Sequence, residues 1–355
     1  MASVAMRASA SASAASAPRR SAARGANVFV LNTPAGGHAV VGFHLASQLR
    51  AAGHGVTLMV PCAADSDKML KPPFNRFAEL EAAGVECVYG DAGAIADAVG
   101  GKKFDVVVDN NGKALDTVQP VADWAVAQGA AQFLYVSSAG IYKPSVTPPH
   151  VEGDPVKASA SHVAVEEYLA AAPIAESIFR PQYITGSGNN KDCEEWFFDR
   201  IVRGRPVPIP GDGMAVTNVA QVEDMARMIT LAVDNPAAHG GLFNCVGDRG
   251  VTMDGLVELC AAAAGKSMDE VEIVHYDPDE VGVEGKKAFP FRYTYHFFSE
   301  PRAAVAKLGM TYERPLGEAL AARYAEYAAS GRAEADLSAK FELDDKILDA
   351  LNVAA

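Results

Sequence analysis

Five side chains, His38, Asp91, Asp109, Asp123 and His162, have the types needed to move protons or to hold a divalent metal. Carboxylates are hard oxygen ligands, and one or two suffice for a labile Mg²⁺ site that leaves room for phosphate and water. An unperturbed imidazole titrates near neutrality, which makes His38 and His162 candidate acid–base groups. A sixth feature is the turn Gly36-Gly37-His38-Ala39-Val40-Val41-Gly42. Glycines let backbone amides approach a phosphate at a helix N-terminus. Ala39 stands at the middle position of the Gly-x-x-Gly-x-x-Gly spacing, where a methyl group obstructs that approach. The phosphate or cofactor-binding residues expected here are Gly36, Gly37, His38 and Gly42; the alternative is a turn that only packs helix on strand.

These residues need elements to position them. Asn27 to Asn32 reads as a buried first strand, a helix runs from Phe43 to Ala51, and Val56 to Val60 forms a second strand. Further strands are expected over Val85–Tyr89, Phe104–Val108 and Gln132–Val136, with a helix from Val118 to Ala127. Alternation of strand and helix at this spacing predicts a parallel sheet with helices on both faces, and a ligand crevice beyond the C-terminal strand ends. Asp91 follows the third strand and Asp109 ends the fourth, so both reach that rim. Asp123 lies on the next helix, with Asp116 one face-repeat earlier. Asp91, Asp109 and Asp123 form the expected metal set, and with His162 the expected catalytic set; in the competing reading Asp109 and Asp123 cap or solvate helices. The second strand ends Val60-Pro61-Cys62 with no acid before Asp65 to hold a ribose 2′-hydroxyl, which argues against NAD, while Lys68 or Lys71 would suit NADP.

Composition bounds the rest. The 355 residues are 49% hydrophobic, enough for one large or two smaller lobes, and no apolar run reaches the roughly 18 residues of a membrane span. Met1 to Ala26 is built from Ala, Ser and Arg without an acidic residue, as organellar transit peptides are, and composition alone leaves the organelle open. The chain carries 31 basic and 44 acidic residues, and without Arg7, Arg19, Arg20 and Arg24 the balance falls to 27 against 44, a net of −17. So acidic a protein binds nucleic acid only through a local basic patch. Cys62, Cys87, Cys193, Cys245 and Cys260 include no C-x-x-C pair, which suits a reducing compartment and argues against a zinc site or a disulfide framework.

From Asn27 to about Gly331 the chain resembles the extended short-chain dehydrogenase/reductases, the family of the nucleotide-sugar epimerases. The resemblance rests on Ser137-Ser138-Ala139-Gly140-Ile141-Tyr142, on Arg180-Pro181 within Ile178–Gly186, on Pro206–Gly213 and on Val222–Ala226. It implies an α/β fold, a Rossmann-like doubly wound parallel sheet with a smaller C-terminal substrate-type lobe. The Rossmann part is expected over 27–185, with 214–250 returning to it. The smaller lobe takes 186–213 and 251–332, and a tail follows over 333–355. The family's Tyr-x-x-x-Lys falls on Ala158 and His162. Hydride chemistry there needs a phenol to move the proton and an ammonium to lower its pKa, and alanine cannot move a proton.

Other stretches are more specific: Lys71-Pro72-Pro73-Phe74-Asn75-Arg76-Phe77, Val108–Lys113, Gly188–Arg200 and Phe341–Leu348. With the glycine turn they resemble the chloroplast stem-loop-binding proteins of 41 kDa, on their a-type branch. That resemblance implies RNA binding in the chloroplast stroma, to stem-loops, ribosomal RNA and plastid mRNA, and association with the chloroplast ribosome. It also implies Mg²⁺-dependent endoribonuclease activity, a homo- or hetero-oligomer with the b-type homologue, and no membrane. For RNA contact the candidates are Lys113, Arg200, Arg203, Arg205, Lys286, Lys287 and Arg292, since cations hold phosphate. The neighbouring aromatics, Trp196 and Phe197 and the alternating Phe289, Phe291, Tyr293 and Tyr295, suit a core or a half-buried strand as well as a stacking platform. Two other functions compete: an NADP-dependent reductase or nucleotide-sugar epimerase, and a non-catalytic ribosome-assembly or nucleotide-sensing protein.

Overall fold

The computed structural model describes residues 25–189 and 191–354; all but the last two residues of the Arg- and Ser-rich leader lie outside them. The first half of the chain alternates as expected: β1 (Asn27–Asn32), α1 (Ala39–Ala51), β2 (Gly55–Val60), α2 (Phe77–Ala82), β3 (Glu86–Tyr89), α3 (Ile95–Ala98), β4 (Val106–Asn110), α4 (Leu115–Gln128), β5 (Gln132–Val136), α5 (Ser161–Ala171) and β6 (Ala175–Pro181). There follow β7 (Ile184–Thr185), α6 (Glu194–Ile201), β8 (Val207–Pro210), β9 (Val216–Thr217), β10 (Ala220–Gln221), α7 (Val222–Ala232) and β11 (Gly241–Cys245). The chain closes with β12 (Val251–Thr252), α8 (Met253–Ala263), β13 (Ile273–Tyr276), α9 (Gly285–Ala288), α10 (Leu316–Ala329) and α11 (Glu342–Leu351).

Seven strands make one parallel sheet in the order β11-β6-β5-β4-β1-β2-β3. Strands buried on both faces read as continuous apolar runs, and Val28-Phe29-Val30-Leu31 and Val106-Val107-Val108 are fully buried in this way. One face packs Val28, Val30, Val108 and Leu134 under α1 and α7; the other packs Phe29, Leu31, Val107 and Phe133 under α4 and α5. Strand order reverses between β1 and β4, where Leu31 pairs with Asp109 and Asn32 with Asn110. A doubly wound sheet opens its ligand crevice at that switch point.

The smaller lobe has its own core. Trp196, Phe197, Phe198, Leu256, Phe289, Phe291 and Tyr327 pack between α6, α8 and α10, and β8 pairs in parallel with β13. Lys286 to Phe298 forms α9 and irregular chain rather than a strand, with Phe289, Phe291 and Phe297 buried in apolar clusters. Helix α1 begins at Ala39, four residues before the expected Phe43. The glycine turn ends at Gly37, and Gly42 lies inside the helix, where a Cβ would stand 2.3 Å from Asn32 Cγ. Gly42 therefore serves close packing of helix on strand.

A candidate phosphate-binding crevice

The crevice at the switch point has a volume of about 380 Å³. Its near wall is the glycine turn, with Gly36 in the left-handed region at φ 78° and Gly37 beneath the Lys191 side chain, whose Cδ lies 3.6 Å from a Cβ built at that glycine. Helix α1 starts here with no side-chain cap and no acidic residue in its first turn, so its N-terminal dipole is unopposed. Ser138 and Gly140 form the floor, and Pro181, Gln182, Tyr183, Ile184, Pro290 and Phe297 the far wall. Ser138 Oγ accepts from the Gly140 amide at 3.1 Å. Below it the buried Ser137 hydroxyl donates to Glu166 at 2.6 Å, and Glu166 is ion-paired to Arg180. This polar base fixes the floor.

Cations rim the cavity. Lys157 Nζ donates to the Gly140 carbonyl at 2.9 Å, and Arg292 Nη2 approaches the same oxygen at 3.4 Å. Burial, and then Arg292 itself, push the Lys157 pKa down. Exposed Lys113 and Lys191 complete the set. Among the described residues none of these four forms an ion pair. Beyond Gly36 and Lys191 the groove widens into a second hollow of about 580 Å³ that adds Lys68, Lys71 and Lys340. Asp192 also faces it, its charge matched by Lys340 at 3.0 Å and Arg332 at 3.3 Å.

The predicted residues separate into those the fold brings here and those it does not. Gly36, Gly37, His38, Lys113 and Arg292 line the crevice, and His162 lines a small side hollow that opens from it. Burial lowers the His38 pKa to about 4, with Lys113 and His162 adding to the effect. Burial also lowers that of His162, so both rings are neutral at physiological pH, and His162 cannot stand in for an ammonium.

The three aspartates do not converge. Asp91 and Asp109 end strands three places apart, about 14 Å at the usual strand spacing. Asp91 accepts from the Gly93 amide at 2.8 Å as a cap. Asp109 is wholly buried, with one oxygen accepting from Asn111 and Gly112 and the other without a partner. Asp123 sits eight residues into α4, about 12 Å back from the rim, bonded to Tyr168 of α5. Among the described residues no group of three or more His, Cys, Asp or Glu could hold a metal.

Arg200, Arg203 and Arg205 were expected to meet RNA, and the fold turns them inward instead. Arg200 is 3% exposed and pairs with Asp344; Arg205 pairs with Asp345; Arg203 donates to the Arg332 and Ala335 carbonyls. For Arg200 and Arg205 the cause is α11, whose acidic first turn carries their partners Asp344 and Asp345. Lys286 and Lys287 are exposed, pair with Glu284, and lie outside the crevice lining. Trp196 and Phe197 are core. Lys191 and Tyr183 in the lining, and Lys157, which reaches the lining carbonyl of Gly140 from beside it, are the residues that sequence reasoning missed. The signal for Lys157 was its place beside Ala158, and for Lys191 its place in the Asn189–Trp196 stretch.

A nicotinamide dinucleotide fits this site only in part. Lys191, the glycine turn and the start of α1 suit a pyrophosphate. The ribose-holding acid after β2 is absent, and Ala158, held against the floor by the Lys157 amide donating to Ile141 O at 2.8 Å, offers no proton. No hydride step can be derived from these side chains.

Residues 35–245 match the model of the NAD dependent epimerase/dehydratase family. The chain is 34% identical over 320 residues to the chloroplast stem-loop binding protein of 41 kDa b of Arabidopsis thaliana, across 88% of this chain and 82% of that protein. Among solved structures it is similar to dTDP-glucose 4,6-dehydratase from Bacillus anthracis in complex with NAD, with TM-score 0.68 and 12% identity over 87% of this chain and 98% of the other. It is also similar to UDP-glucose 4-epimerase from Thermotoga maritima with UDP-glucose, with TM-score 0.65 and 18% identity over 86% of this chain and 99% of the other. At those identities the structural likeness concerns the fold.

Proposed function

The chain belongs to the NAD dependent epimerase/dehydratase family, on the branch that includes the chloroplast stem-loop binding protein of 41 kDa, and from that premise we propose that its crevice holds RNA phosphate. One observation carries the reading. Lys157 and Arg292 converge on a single carbonyl oxygen with no carboxylate between them. Two cations held this close repel, and an anion arriving between them relieves the repulsion. Lys113, Lys191, Lys68 and Lys71 extend that charge along the groove, in a chain whose net charge is −13. A local basic track is what so acidic a protein needs to bind a polyanion.

A reductase or epimerase reading requires a proton carrier where Ala158 stands, and His162 is neutral in place of the lysine. A metal-assisted cut requires a ligand set that the three aspartates do not form at the rim, so the reading stops at binding. In this reading the protein works in the chloroplast stroma on stem-loops of ribosomal and messenger RNA. Its contact with the ribosome, the b-type relative or a second copy would be made around that bound RNA. The leader's composition and the relative's chloroplast name support the compartment.

The test is a salt titration of stem-loop RNA binding. Each phosphate contact contributes about 0.7–0.9 to the slope of log K against log salt. Lys191→Ala, Lys113→Ala and Arg292→Ala are each expected to weaken binding several-fold and lower the slope by about one contact. Unchanged slopes in all three would place RNA elsewhere.

A further inference from the structure

Resting on the reading of the crevice as an RNA site, we propose that what enters it is one unpaired ribonucleotide, its base against the Tyr183 wall, and not a face of the double helix. Size is the first argument. At about 380 Å³ the cavity is near the small end of ligand pockets, and a paired base inside a stem cannot reach into it. An unpaired base can be splayed out and stacked on a side chain.

The second argument is that the two walls differ. Pro181, Tyr183, Ile184 and Pro290 offer apolar surface on the far side, with Arg292 beside Tyr183, and Lys113 and Lys191 offer charge on the side of the glycine turn, where Asp192 also lines the cavity. A nucleotide has the same division between base and phosphate. Tyr183 holds a left-handed backbone at φ 44°, a conformation in which a bulky residue persists only where its surroundings fix it. Its hydroxyl accepts from the Arg292 amide at 2.9 Å, and its carbonyl accepts from the Ala220 amide at 3.1 Å. The ring is thus set in the far wall before any ligand arrives.

A third observation points to a polar contact with the ribose. Asn110 is 2% exposed, and its amide nitrogen is committed to Asn32 Oδ1 at 2.6 Å and the His38 carbonyl at 2.8 Å. Its Oδ1 is buried and faces the His38 ring without a well-formed hydrogen bond. Asn110 lines the side hollow of about 40 Å³, which shares Gly36, Gly37, His38 and Lys113 with the crevice. That hollow is too small for a base and large enough for a hydroxyl. A ribose 2′-hydroxyl entering it can donate to Asn110 Oδ1, and a deoxyribose cannot.

The experiment measures fluorescence anisotropy of the full chain at one salt concentration with three probes: a stem-loop RNA, its stem as a blunt RNA duplex of equal phosphate count, and the DNA stem-loop. Adenosine and uridine 5′-monophosphates serve as competitors. Stacking of a single base predicts about tenfold tighter binding of the RNA stem-loop than of the duplex, with competition by the mononucleotides. The DNA stem-loop is expected to bind several-fold more weakly than its RNA counterpart. Tyr183→Ala is expected to bring the stem-loop down to the duplex affinity, and Tyr183→Phe, which keeps the ring, to retain the preference. Equal binding of stem-loop and duplex, both weakened by Lys191→Ala, would place RNA across the rim; the unpaired nucleotide would then be excluded while the phosphate site stood. No binding of any probe would overturn both.

Discussion

At the seam between α6 and α11, Arg200 meets Asp344 at 2.8 Å with both side chains buried, and Arg332 joins Glu195, Asp199 and Asp192 within 3.3 Å. At the crevice, Lys157 and Arg292 share a carbonyl, and Lys113 and Lys191 extend into the open. Both regions are rich in cations, and by sequence alone the seam is the richer in arginine. The difference lies in what faces the charge. A buried guanidinium paired with a carboxylate is spent on holding two segments together, and burial keeps its remaining donor from any phosphate. A cation whose nearest partner is a carbonyl keeps its charge unneutralised, and its field acts on an incoming anion. Charge density along the chain therefore does not locate a binding site; unneutralised charge in the fold does.

The largest effect should come from breaking the seam. Removing one partner of a buried ion pair leaves the other charge uncompensated, a loss of about 3–5 kcal/mol. Arg200→Ala also removes a guanidinium that lies 3.5 Å over the Trp196 ring. Equilibrium denaturation should show the loss, while RNA affinity of the folded fraction should match the parent. A variant of parental stability with weakened RNA binding would break the comparison and return Arg200 to the RNA surface.

Asp109 sharpens it from the other side, as a buried charge with half its hydrogen bonding unmet. Burial raises its pKa from 3.8 to about 6. The folded state thus holds a proton more tightly than the unfolded chain, so this group's contribution to stability falls as pH rises from about 4 to 6 and stays low above that. A shift of that size corresponds to about 3 kcal/mol at neutral pH, taken as an upper bound. Asp109→Asn keeps an acceptor for the Asn111 and Gly112 amides and removes the charge. Thermal melts should show the variant more stable than the parent at pH 7 and nearly equal to it at pH 4. A variant destabilised at pH 7 would mean that the free oxygen faces a cation in solution, and the metal reading of the crevice would return.

Much of this was legible in the residues. Apolar runs such as Val28–Leu31 and the strand–helix alternation dictate the sheet, and Ala158 announces the lost proton carrier without any coordinates. The glycine turn was placed, though its helix begins at Ala39, and Gly42 packs on Asn32 rather than opening toward a ligand. What stayed hidden was pairing. Nothing local at Arg200 shows that Asp344, 144 residues later, will neutralise it. Nothing at Lys157 shows that Arg292 will share its carbonyl. Strand order was equally hidden: Asp91 and Asp109 both end strands, and only the sheet's order sets three places between them.

The smallest effect is expected at Lys286 and Lys287, and it tests the same contrast at the surface. Both were candidate RNA contacts on charge and neighbouring aromatics. Their side chains are 82% and 69% exposed, and each reaches Glu284, at 2.9 Å and 2.6 Å. Exposure alone would make them better phosphate ligands than half-buried Lys157. But the carboxylate between them already screens their charge, and the crevice walls that would focus it lie elsewhere. Lys286→Ala with Lys287→Ala should change stem-loop affinity by less than about twofold and leave the salt slope at the parental value, against a loss of about one contact for Lys191→Ala. A slope reduced by about two contacts in the double variant would show that exposure outweighs pairing in this protein, and would extend the RNA track from the crevice onto α9.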